Sequence, residues 1–217
     1  MNTNIKQAAA FSALVLPLAF GCASTHDTYA TTDSDVPEGL LQYASASHLD
    51  DVEEARNAHN TAVDNLESAR RSEQEAEAQT KIRKEQVALA EQRVDVERAR
   101  VAARAKGETA GFEQAEEQMA EAETQVEAAR RQIALNGRLV KVREAEVTVA
   151  EAEVRVAERR VELAKARAVA PLDRPEANKV DVKRFEAGVR DEETKRELAK
   201  VERNAAQREF EIFEKNE

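Results

Sequence analysis

The chain has 217 residues, 35% of them charged and 4% aromatic, with no tryptophan and a formal net charge of −10. That acidity argues against nucleic acid or an anionic membrane surface as a partner of the body, since both ask for a basic face. After residue 50, Ala, Glu, Arg and Val dominate, which is the composition of long charged helices rather than of a mixed globular core.

Residues 1–21 predict an export signal. Lys6 supplies a basic start, and Ala8 to Phe20 form a thirteen-residue apolar run containing Pro17. Spanning a bilayer takes roughly 20 apolar residues, so the run is too short to cross one. It ends in Leu18-Ala19-Phe20-Gly21-Cys22, and Cys22 is the only cysteine, which leaves no internal disulfide to form. The last residues of this run resemble a bacterial lipobox, with Ala19 standing where Leu is commonest. The resemblance implies cleavage before Cys22 and acylation of its thiol and freed amine by palmitate-class chains. By the same resemblance, Ala23 rather than Asp after the cysteine implies sorting to the outer membrane, with the body in the periplasm.

From Cys22 to about Ser45 the chain is rich in Thr, Ser and Asp, carries Pro37 and Gly39, and shows no helical periodicity. It reads as a flexible tether (residues 22–45). Thr25, His26, Asp27 and Thr28 lack a second constellation that would complete a ligand site, so they read as solvated linker.

Residues 46–217 are expected to form an all-α coiled-coil rod, with helices at about 46–106, 112–170 and 176–215. Every seventh residue from Phe112 is apolar: Met119, Val126, Ile133, Val140, Val147, Val154, Val161 and Ala168 follow. At 41% hydrophobic content, so complete a column in any of seven frames has a chance of about 0.2%. A second column, rich in Ala, runs three places behind it, which makes a heptad seam. The first helix has its own seam, through Val52, Leu66, Val87, Val94 and Val101 with Ala55, Ala62, Ala69, Ala76 and Ala90.

Lys106-Gly107 is a helix-stop signal, and the heptad shifts phase by four residues across the stretch to Gly111. A stutter in one continuous helix and a tight reversal both fit that shift. Register separates them. If the chain reverses at Glu108, Leu66 lies level with Ala150, Ala62 with Val154, Ala69 with Val147 and Val94 with Ala122. Large faces small in layer after layer, which fills space without voids. The polar positions also coincide, with Thr80 opposite Asn136 and Glu73 opposite Arg143. The expected fold is therefore an elongated antiparallel hairpin. Helix should continue through Asn136-Gly137, where the heptad keeps its phase, and His59 should be a partly buried structural residue.

A further column, Leu135, Val142, Val149, Val156, Leu163 and Ala170, lies on nearly the opposite face of the second helix. Pro171 and Pro175 interrupt that helix. The third helix, apolar at Val182, Val189 and Phe210 and at Phe185, Ala199, Ala206 and Phe213, has the length to cover this face. Its docking leaves one outward column near the hairpin tip uncovered, namely Ile82, Leu89, Val96 and Ala103. That column is the candidate partner-binding seam, for another protein or for self-association.

No Gly-rich phosphate loop, Cys/His metal spacing, nucleophile elbow or HExxH stretch occurs in the sequence. No catalytic residue, cofactor, metal or small-molecule substrate is expected, and the chain reads as a non-enzyme. Leader and body together resemble small helical outer-membrane lipoproteins, implying a structural or scaffolding role in the cell envelope. The hairpin is also similar to the periplasmic hairpins of membrane fusion proteins, implying as an alternative an adaptor of an export or efflux assembly. Those proteins flank the hairpin with β-rich domains, and this sequence has no strand-rich stretch.

Overall fold

The computed structural model describes residues 36–105 and 112–216, all of which fall within the unit Asp35–Glu217. Three long helices dominate: α1 (Ala46–Arg104), α2 (Phe112–Val169) and α3 (Val182–Lys215). Short 3-10 helices occupy Glu38–Tyr43 and Ala177–Lys179, and no strand occurs among the described residues.

Local chemistry sets the helix ends. Ser45, in extended backbone, turns its hydroxyl to accept from the His48 amide at 3.4 Å and so caps α1. After α2, the Ala170 amide still donates to the Ala166 carbonyl, but Pro171 has no N–H with which to continue. Asp181 caps α3 by accepting from the Lys183 amide at 3.0 Å. Gly137 sits inside an unbroken α2, as the constant heptad phase requires.

The proposed reversal point at Glu108 lies outside the described residues, but the helices on either side of it settle the topology. Arg70 pairs with Glu151, Glu91 with Arg130 and Arg98 with Glu123, at 3.0, 2.6 and 2.9 Å. Between the first two pairs α1 advances 21 residues while α2 retreats 21; between the last two each moves by 7. Whole-heptad steps in opposite directions describe an antiparallel pair in a single register. Leu66 is buried against Ala150 and Val154, with Ala62, Ala69 and Val147 packed around them. The buried residues of α1 are Val52, Leu66, Ala76, Val87 and Val94, all from the two heptad columns.

α3 covers the other face of α2. Val142, Val149, Val156 and Leu163 are buried there with Ala152 and Ala166, and Ala199 packs on Val149 and Ala152. Arg160 meets Glu193 at 2.7 Å and Arg167 meets Glu186 at 2.8 Å, seven residues forward on α2 and seven back on α3. α3 is therefore antiparallel to α2, and its last turns are pinned where the Arg138 guanidinium lies 3.6 Å from the Phe213 ring centroid.

Three details differ from the sequence reading. Residues 36–43 are not open tether: Val36 and Leu40 are buried with Ala166, Val169 and Ala177 at the base of the hairpin. Two apolar side chains at the right spacing suffice to fix a short 3-10 turn when a pocket of small residues waits for them. α3 begins at Val182 rather than 176, because Ala177 is drawn into that same base cluster and Asp181 supplies the cap. Arg143 does not cross to Glu73; it bonds Glu146, one turn along its own helix, at 2.7 Å. Thr80 likewise satisfies its hydroxyl locally, on the Ala76 carbonyl. A partner within one turn of the same helix fixes fewer rotatable bonds than one across the seam.

Candidate interaction surface

The outward apolar column of α1 stands uncovered. α3 packs along α2 and not along α1, and it ends where Phe213 meets Arg138. Ile82, Leu89 and Val96 are 53%, 60% and 50% exposed, and Ala103 is exposed with them. A strip of large aliphatic side chains on an otherwise charged helix costs hydration free energy until another surface covers it.

Beside this strip runs a groove of about 650 Å³ between the distal halves of α1 and α2, walled by Leu89, Val96, Glu97, Gln118 and Gln125. Glu97 accepts from Arg100 at 2.7 Å, while its second carboxylate oxygen is buried without a hydrogen-bond partner. The other side of the hairpin carries a smaller groove of about 440 Å³, bordered by the Glu91–Arg130 and Arg98–Glu123 bridges. The distal rod thus offers one apolar ridge flanked by polar walls, the shape that accepts a helix or a flat apolar strip rather than a small molecule.

A second groove, of about 630 Å³, lies between α1 and α3 over a floor of Val156, Ala157 and Leu163. Its three guanidiniums, Arg160, Arg167 and Arg196, are already engaged by Glu193, Glu186 and Glu197. His59 is half-buried on α1, as its heptad position requires.

Two charged side chains are buried as well. Lys165 is 7% exposed, and its ammonium lies 2.6 Å from Glu38 and 2.9 Å from Glu162. Burial works against the charged lysine, but the hydrogen bonds to Glu162 and Glu38 more than offset it and hold its pKa above the ordinary lysine range. Glu192, at 8% exposure, occupies a heptad position between Phe185 and Ala199. It accepts from Lys195 at 2.9 Å, with the Arg155 guanidinium 3.5 Å from its other oxygen. For Glu192 a signal was present, since it continues the Phe185–Ala199 column. For Lys165 the only hint was Glu162 three residues earlier. The outward Leu198, Val201 and Ile212 of α3, each more than 60% exposed, stand three and eleven residues apart, on one face of the helix.

Cys22, the lipidation candidate, lies outside the described residues. Among the described residues no cluster of three or more His, Cys, Asp or Glu has metal-ligand placement. No helix among them is long and apolar enough to cross a membrane.

No family model, curated protein or solved structure matches this chain. The functional reading therefore rests on residues and geometry.

Proposed function

We propose that the protein is a periplasmic coiled-coil lipoprotein, held on the outer membrane by acylated Cys22, with a structural or scaffolding role in the cell envelope and no enzymatic activity. The observation that carries this reading is the order of parts: an apolar leader ending in Leu18-Ala19-Phe20-Gly21-Cys22, then a rod built on helices of 59 and 58 residues. At 1.5 Å per residue each of those helices is about 87 Å long, which suits a spacer or strut better than a pocketed catalyst. Buried acyl chains contribute about 0.8 kcal/mol per CH₂, so two or three of them would anchor the chain firmly.

The test is fractionation with labelled palmitate. The wild-type chain should take up label and sediment with outer membranes, and Cys22→Ser should lose both properties. An unlabelled, membrane-free wild-type chain would remove the reading.

The exposed Ile82–Leu89–Val96 strip supports a second reading, in which the hairpin is an adaptor docking on an export or efflux channel. Val96→Asp should then abolish co-purification of a defined channel partner while leaving helicity unchanged. If the same substitution instead dissolves an oligomer seen by sedimentation, the strip serves self-association. A scaffold that used neither would lose nothing.

A further inference from the structure

The residues just before α1 form a feature that the functional reading does not use. The 3-10 turn Glu38–Tyr43 is bounded by extended backbone at Pro37 and at Ala44. It is held to the base of the hairpin at four points. Val36 and Leu40 are buried against Ala166, Val169 and Ala177. The Glu38 carboxylate meets Lys165 at 2.6 Å and, more loosely, Arg56 at 3.8 Å. The Arg174 guanidinium covers the Tyr43 ring, 3.5 Å from its centroid.

We propose that residues 36–44 are a releasable strap, which comes away as a unit while the three helices remain folded, and so sets how far the rod stands from the point that holds its N-terminal side. The part of this statement about reach rests on the Cys22 anchor; the detachment does not.

Three features make release possible without unravelling the base. Lys165 keeps Glu162 at 2.9 Å when Glu38 leaves, so no buried charge is orphaned. The cap of α1 is the Ser45 hydroxyl on the His48 amide, at the hinge rather than in the strap. The turn between α2 and α3 is closed by its own backbone, through Leu172 to Val169, Asn178 to Arg174 and Val180 to Ala177. Within the strap the Leu40 amide donates to the Pro37 carbonyl, Ala44 to Leu41, and the Gln42 side chain to the Gly39 carbonyl. Short surface segments open at lower free energy than the core they cover. What release uncovers is apolar, Ala166 and Val169 above all, and that favours reclosure when nothing pulls.

The consequence for reach follows from chain geometry. Thirteen residues separate Cys22 from Val36, a span of at most about 45 Å at 3.3–3.6 Å per residue. Freeing residues 36–44 would lengthen it to about 75 Å on the same scale. A strap loaded at Val36, its first buried residue, is peeled from one end, one contact at a time.

The test is hydrogen exchange by mass spectrometry on the full chain, comparing wild type with the pair Glu38→Gln and Leu40→Ala, singly and together. In the wild type, amides of 38–44 should be protected, yet exchange before those of 160–168 and 184–192. In the double variant strap exchange should rise by about tenfold or more, with both helix segments unchanged. Three results would overturn the proposal: a wild-type strap with no protection, helix segments that accelerate together with the strap, or a double variant without effect. None of these depends on lipid, so a failure of the strap and a failure of the Cys22 anchor are read in different experiments.

Discussion

Leu66→Ala tests the size complementarity of the hairpin where its geometry is best defined. Leu66 is 5% exposed and packs on Ala150 and Val154, with Ala62, Val63, Ala69 and Val147 around them. Truncation removes three buried carbons, about 2.4 kcal/mol at roughly 0.8 kcal/mol per CH₂. A two-helix seam lined with alanine closes or hydrates a void more easily than a globular core does. The expected loss is therefore about 2–3 kcal/mol, near the lower end of the Leu→Ala range. Leu89→Ala makes the same chemical change at 60% exposure and should stay within about 0.5 kcal/mol of wild type. Ala150→Leu alone overpacks the layer and should cost about 1–3 kcal/mol. Leu66→Ala combined with Ala150→Leu moves the bulk across the seam and should recover at least about 1 kcal/mol relative to the sum of the two single losses. Urea titrations followed by circular dichroism at 222 nm measure all four proteins. Equal effects at Leu66 and Leu89, or strictly additive losses in the double variant, would refute the layer-by-layer matching.

Gly137→Ala should stabilise the protein by about 0.5–1 kcal/mol, because the glycine is interior to α2 and nothing lies within 4 Å of where a Cβ would stand. A thermal melt reads this as a rise of about 2–4 °C per kcal/mol for a chain of this size. Phe213→Ala should free the last turns of α3 by removing the ring under Arg138, accelerating amide exchange over 205–215 and leaving α1 unaffected; slower or unchanged exchange would contradict the pinning role. The hydrogen bond and charge of Lys165 hold the Glu38 carboxyl below its ordinary value of 4.5. A depressed folded-state pKa contributes stability that is present above the unfolded value and fades as pH falls through the folded one. Strap protection should therefore drop below about pH 4.5, modestly because Glu38 is largely solvated, and Glu38→Gln should flatten that dependence.

The heptad columns carried most of the fold, and there is a physical reason for that. A narrow seam repeats the same contact every seven residues, so Val52, Leu66, Val87 and Val94 announce their burial many times over. The second face of α2 is marked in the same way, by Val142, Val149, Val156 and Leu163. A helix with two apolar faces needs two neighbours, and α1 and α3 supply them. The outward seam at Ile82, Leu89 and Val96 follows by subtraction, as the column left without a helix. What escaped were contacts made once. Val36, Leu40 and Leu41 come from one short stretch, too short for any period to point to them. The burial of Lys165 depends on the strap lying over it, a tertiary fact with no local trace beyond Glu162. Arg143 took Glu146 and not Glu73, because heptad register fixes height along a rod and not the choice among nearby carboxylates.

The reversal between α1 and α2 underlies both the rod and its exposed tip seam, and a disulfide trap tests it directly. Ala62→Cys with Val154→Cys, in a Cys22→Ser background, places two thiols in the Leu66 layer. Mild oxidation should give a cross-linked monomer, of altered mobility on a non-reducing gel and unchanged mass by light scattering. A disulfide that forms only between chains, or not at all while Ala62→Cys links to some distant position, would contradict the hairpin.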